Sequence, residues 1–154
     1  RIIGQSLPPK FNIQLHTDFN PSVPQIRTDR DALKQVFVNL IKNSVEALNG
    51  QGNIYLETAY LPETNDNMRK LSGPLDRGQV RVVVRDDGPG IAPEIEARLF
   101  EPYASTKGNG HSGIGLSVVH NMIKVLGGTV SCRSELGKGA VFTILLPVHS
   151  PGTT

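Results

Sequence analysis

At 154 residues the chain can build one hydrophobic core; its 38% hydrophobic content is on the low side but compatible with folding, and a charged fraction of 19% argues against wholesale disorder. A net charge of +2, on basic residues that are scattered rather than striped, argues against a nucleic-acid partner. One cysteine, Cys132, excludes an internal disulfide and a cysteine-rich zinc site, and fits a reducing compartment such as the cytoplasm. No apolar run approaches the roughly 20 residues of a membrane span, so no membrane contact is expected of this chain, and no signal peptide opens it. The first residue is Arg1 rather than methionine, as expected of a piece cut from something longer.

Asn12 to Thr17 alternates polar and apolar residues, the pattern of a half-buried strand. Pro21 and Pro24 punctuate a loop. Asp29 can then cap a helix running to about Leu48, stopped by Asn49 and Gly50. Leu33, Val36, Phe37, Leu40, Ile41, Ala47 and Leu48 recur at spacings of three and four, which predicts one buried face. Asn53 to Tyr60 and Gln79 to Arg85 read as strands, with a long polar loop from Leu61 to Gly78 between them. Ala92 to Leu99 predicts a short helix with Pro93 near its start. Glu101 to Ser112 has little to bury and reads as a mobile segment. Ser112 is the expected cap of a last helix whose face is Leu116, Val119, Met122, Ile123 and Leu126, ended by Gly127 and Gly128. Thr129 to Glu135 and Ala140 to Pro147 form a hairpin around Gly137-Lys138-Gly139, and residues 151–154 read as a frayed, disordered tail. The expected fold is an α/β (α+β) two-layer sandwich: a mixed, mostly antiparallel sheet with helices over one face.

Three stretches carry chemistry. On the first helix, Asn39, Asn43 and Glu46 share a stripe beside the apolar face, where a groove between helices would lie. Amide oxygens are neutral hard ligands that suit magnesium already carrying phosphate oxygens, although two ordinary surface asparagines would look the same. Asp86-Asp87-Gly88-Pro89-Gly90-Ile91 follows an apolar strand. A carboxylate there can accept from an adenine amino group, the glycines allow close backbone approach, and Ile91 can pack on a base; a plain turn is the competing reading. Gly113-Ile114-Gly115-Leu116 places bare amides at a helix start, a phosphate cradle or simply a flexible junction. The four histidines have no partners at metal or nucleophile spacing and read as surface or structural residues.

In this order the stretches resemble the boxes of the sensor histidine kinase catalytic and ATP-binding domain, within the gyrase, Hsp90, histidine kinase and MutL superfamily; a nitrogen-regulation-like subgroup is one option. The resemblance runs from about Asp29 to Pro147. It rests on Asn39-Leu40-Ile41-Lys42-Asn43-Ser44, on Asp86 to Ile91, on Leu99-Phe100-Glu101-Pro102-Tyr103 with Ser105-Thr106-Lys107, on Ser112 to Ser117, and on the closing Gly137 to Pro147. It implies a Bergerat-type ATP-binding fold over 1–150, with a lid at about 100–112. It also implies Mg2+ on Asn43, Asn39 assisting at the phosphates, and Asp86 reading the adenine amino group. By the same resemblance Gly88, Gly90 and Ile91 shape the base pocket, and Thr143 touches it from the sheet. Lys107 would lie near the phosphates, with Tyr103 and Thr106 in the lid, and Ser112, Gly113, Ile114, Gly115 and Leu116 around the phosphate chain.

Two departures stand out. His111 stands where that box usually begins with glycine, and Glu46 where many relatives carry a basic residue. No phosphoacceptor His-Glu/Asp-x-x-Asn/Thr-Pro stretch occurs, so the receiving histidine is expected upstream, on dimerisation helices. The implied activity is transfer of the γ-phosphoryl group of ATP to that histidine, with a response regulator reached through the full-length protein. A gyrase- or MutL-like ATPase is the rival enzyme reading, weakened by Asn39 where those enzymes place a glutamate that activates water. A nucleotide-gated interaction module without transfer is the non-enzymatic one.

Overall fold

A computed structural model describes residues 12–62, 78–101 and 115–148. In chain order the elements are β1 (Asn12–Phe19), α1 (Arg30–Leu48), β2 (Gln51–Leu61), β3 (Gln79–Asp86), α2 (Pro93–Glu96), α3 (Gly115–Val125), β4 (Thr129–Glu135) and β5 (Gly139–Pro147). They form one five-stranded sheet in the order β1-β2-β3-β5-β4. β1 and β2 run parallel, joined through α1, and the other three pairs are antiparallel.

α1 begins where expected because Asp29 caps it, its side chain accepting from the Ala32 amide at 3.1 Å. It ends on Asn49 in the left-handed conformation, φ 52°. Val36, Leu40, Ser44 and Leu48, each four residues apart, form its buried stripe. α3 closes with a Schellman motif: Gly127 takes φ 82°, Gly127 N–H reaches the Lys124 carbonyl at 3.0 Å and Gly128 N–H the Ile123 carbonyl at 2.9 Å. α2 is shorter than the Ala92–Leu99 expectation, because beyond Glu96 the amides of Arg98 and Leu99 bond three residues back, as in turns.

α1 and α3 pack on each other and on one face of the sheet. Phe142, Ile144 and Leu146 of β5, Val84 of β3 and Ile54 of β2 meet Val36, Leu40, Val119 and Ile123 there. Each such side chain contributes about 1.5–3 kcal/mol by leaving water. The opposite face carries the alternate residues, among them Arg85, Tyr55, His16 and Thr143.

Candidate functional site

The site is built where β3 ends. Asp86 is its last residue, paired with Ile54 on one side and Ala140 on the other, and it points to the helix face. Its carboxylate is 2% exposed. Oδ1 accepts from the Gly88 amide at 2.9 Å, whereas Oδ2 is buried without a hydrogen-bond partner. Burial is the main reason its pKa lies above the ordinary 3.8, opposed by the Gly88 and Ala140 amides and the nearby Ser44 hydroxyl, and assisted by the neighbouring Asp87 charge. Ser44, wholly buried on the α1 stripe near Asp86, likewise has an Oγ without a hydrogen-bond partner. Two buried polar atoms with spare hydrogen-bonding capacity on facing elements could receive a polar ligand.

The Gly88-Pro89-Gly90-Ile91 stretch is held from two sides. A side chain on Gly88 would come within 3.0 Å of Asp86 Oδ1 and 3.4 Å of the Ala47 carbonyl, so this position lies flat on the last turn of α1. Gly90 takes φ 81° against the backbone of Glu135. Ile91 N–H donates to Ser134 Oγ at 2.6 Å, that hydroxyl donates to the Gly139 carbonyl at 3.0 Å, and Gly137 N–H reaches the Pro89 carbonyl at 2.7 Å. The β4–β5 hairpin is therefore the scaffold of this loop.

On α1, Asn39 Oδ1 accepts from Gln35 at 2.8 Å, and its Nδ2 donates to the Gly115 carbonyl at 3.4 Å. The first asparagine thus meets the start of α3. Around Gly115 a side chain would find no atom within 4 Å among the described residues, leaving room beside the helix start. Asn43 and Glu46 are half-buried on the same flank, and Leu116 packs on the core. Tyr103, Thr106, Lys107, Ser112, Gly113 and Ile114 lie outside the described residues, as does most of the 100–112 lid.

One expected residue is displaced. Thr143 stands three places along β5 from Ala140, the direct partner of Asp86, in an unbroken register. Strand alternation puts its side chain on the far face of the sheet, beside Val83 and Ser131. Ala140, 3% exposed, is the β5 residue beside Asp86. Ser44, Ser134 and Ala140 escaped the sequence reading, although a serine between Leu40 and Leu48 on an apolar stripe was a visible signal for the first. A cavity of about 380 Å³ lies on the far side of Asp87, lined by Asn12, Gln14, Gln51, Gly52, Asn53 and Asp87, and takes in none of the α1 residues. Half-buried Cys132 has its thiol pushed up to about 12, chiefly by burial, and is no nucleophile at neutral pH. Among the described residues no group of three or more histidine, cysteine and carboxylate side chains could hold a metal ion.

This arrangement has counterparts. The chain is 42% identical to the sensory histidine kinase/phosphatase NtrB of Rhodobacter capsulatus over 131 residues, 85% of this chain and 36% of that protein. It is 43% identical to the sensor histidine kinase ZraS of Salmonella typhimurium over 136 residues, 88% of this chain and 26% of that one. It therefore spans about a third or less of these relatives' length. Among solved structures, full-length ShkA in complex with AMPPNP superposes with a TM-score of 0.68 at 29% identity, covering 95% of this chain and 28% of that one. The nucleotide-free catalytic domain of the histidine kinase ThkA gives 0.67 at 27% identity, over 91% of this chain and 80% of that one. Residues 28–150 match the family described as histidine kinase-, DNA gyrase B-, and HSP90-like ATPase, and the chain belongs to that family.

Proposed function

We propose that this chain is the ATP-binding catalytic domain of a sensor histidine kinase, acting in the cytoplasm. It binds Mg-ATP and passes the γ-phosphoryl group to a histidine on a separate dimerisation and phosphoacceptor domain, from which a response regulator is served in two-component signalling. The observation that carries this reading is the buried Asp86 carboxylate with an unpartnered oxygen, on a strand packed against α1, the helix that carries Asn39 and Asn43.

Asp86 Oδ2 would accept from the adenine amino group, with Oδ1 fixed by Gly88. Guanine presents an oxygen at the corresponding place and would be repelled. Ile91 and Gly88 would bound the base, and Ala140 leaves space because its side chain is one methyl group. Asn43 would hold the magnesium, which neutralises phosphate charge when bound. Asn39, already bridging to Gly115, would steady the phosphates at the start of α3. In the transfer, an imidazole nitrogen of the acceptor bonds to the γ-phosphorus as the bond to the β–γ bridging oxygen breaks, and ADP leaves with that electron pair. The domain's part is positioning and charge complementarity.

Hydrolysis of the gyrase or MutL kind is disfavoured by Asn39, whose amide takes no proton and is engaged with Gln35 and Gly115. The test is calorimetric titration with Mg-ATP, followed by incubation with a separately supplied phosphoacceptor domain. Micromolar binding and an acid-labile phosphohistidine on the acceptor are expected. Absence of Mg-ATP binding overturns the assignment.

A further inference from the structure

On the face of the sheet opposite the helices, His16, Tyr55 and Arg85 occupy directly paired positions on β1, β2 and β3. The Arg85 guanidinium lies 3.9 Å over the Tyr55 ring, and that ring stacks on His16 with centroids 4.7 Å apart and planes 15° apart. From His16 a hydrogen-bonded path leads to the Asp86–Ile91 loop. His16 Nε2 and Asn53 Oδ1 are 2.8 Å apart; Asn53 Nδ2 donates to Asp87 Oδ2 at 2.8 Å, and the Asn53 amide donates to Asp87 Oδ1 at 2.8 Å. The Asp87 amide returns a bond to the Asn53 carbonyl at 3.3 Å.

The orientation of this path follows from chemistry. A carboxylate only accepts, so the Asn53 side chain must turn its nitrogen to Asp87 and its oxygen to His16. That oxygen in turn requires the hydrogen of His16 to sit on Nε2. Asp87 is thereby held through both carboxylate oxygens and its own amide by a single residue. Gly52 gives it room, since a side chain there would come within 2.7 Å of Asp87 Oδ1. Asp87 is also bonded covalently to both Asp86 and Gly88, the two partners whose 2.9 Å contact aims the site carboxylate. An Asp-Asp-Gly run leaving a strand would otherwise sample several turn conformations.

We propose that Asn53 is a positioning residue for base recognition: through Asp87 it fixes the backbone from Asp86 to Gly88, and His16 holds Asn53 in turn. The inference rests on reading Asp86 as the group that selects adenine. Misplacement of a recognition group by about 1 Å can cost up to a hundredfold, so loss of the clasp acts on affinity and on base preference together.

The test measures Kd for Mg-ATP and Mg-GTP, with melting temperature in the absence of nucleotide, for the 154-residue chain and for Asn53→Ala, His16→Ala and His16→Gln. Asn53→Ala is expected to weaken ATP about tenfold and GTP less, so that the ATP preference narrows. His16→Ala, on the exposed outer strand where folding is not at stake, repeats the effect at about threefold, and His16→Gln, whose amide can donate to Asn53 Oδ1, restores it. Equal losses for ATP and GTP, or ATP affinity within twofold of the unmutated chain in both alanine variants, overturns the inference while leaving the functional reading intact. Failure of the unmutated chain to bind Mg-ATP overturns both.

Discussion

Replacing Asp86 by asparagine separates the demands of binding from those of folding, because the two should respond with opposite signs. The carboxylate is 2% exposed, has one oxygen without a partner, and has its pKa raised first of all by burial. A buried polar group left unsatisfied costs about 1–3 kcal/mol. Asparagine removes the charge and offers an N–H in the neighbourhood of the orphaned Ser44 hydroxyl, so the nucleotide-free domain gains up to that amount. For a chain of about 150 residues each kcal/mol moves Tm by about 2–4 °C, so an increase of up to roughly 12 °C at pH 7 is expected. A folded-state pKa above 3.8 means that ionisation opposes folding at pH above the folded value, and the penalty is relieved as pH falls through that value toward 3.8. The stabilisation by Asp86→Asn should therefore shrink on acidification. Binding moves the other way: a hydrogen bond to a charged group is worth about 1.5–3 kcal/mol, a ten- to hundredfold loss of ATP affinity. Scanning calorimetry from pH 7 down to about pH 4, with ATP titration at pH 7, reads both. A variant that melts at or below the wild-type temperature at pH 7 refutes the idea that this charge is a folding liability held for ligand recognition.

Asp87 should act in the opposite sense below that window. Its pKa is lowered chiefly by the Asn53 side chain, so its contribution is present above pH 3.8 and lost as pH falls through the folded value. Acid unfolding followed by circular dichroism should be less steep below pH 3.8 in Asp87→Asn, and an unchanged slope refutes this. Gly139→Ala should cost about 2 kcal/mol or more in urea unfolding, since φ is 105° and the new methyl group would strike the Asp86 carbonyl; a loss below about 0.5 kcal/mol contradicts the geometry. Thr143→Ala should leave ATP affinity within twofold, whereas Ala140→Val, filling the space beside Asp86, should weaken it at least tenfold. The reverse order would return Thr143 to the site.

The parts of the fold that were legible in the sequence are those fixed by neighbours along the chain. The Asp29 cap, the four-residue spacing from Val36 to Leu48 and the Gly127-Gly128 stop are each written within one or two helical turns. The β4–β5 hairpin could be read from its glycine turn in the same way. What escaped depends on partners far along the chain. Thr143 went astray because its face is set by register against β3, although the buried alternation of Phe142, Ile144 and Leu146 already pointed it outward. β2 begins at Gln51 rather than Asn53 because Gly52 interrupts the local pattern while pairing with Ile13 holds it extended. The Asn53–Asp87 clasp joins residues 34 apart and left no local trace. Of the candidate site, Asn39 and Asp86 stood out in the sequence as candidates, but the neighbours each has in the fold did not.

Because the Pro89 carbonyl and the Ile91 amide both close on the β4–β5 hairpin, the Asp86–Ile91 loop is finished by residues synthesised almost fifty positions later. During translation the first helix and the aspartate emerge well before the surface that shapes them. A nascent chain truncated before Gly139 would thus carry Asn39 and Asp86 yet lack the β4–β5 hairpin that shapes their loop, so the loop takes its form only once that hairpin has emerged.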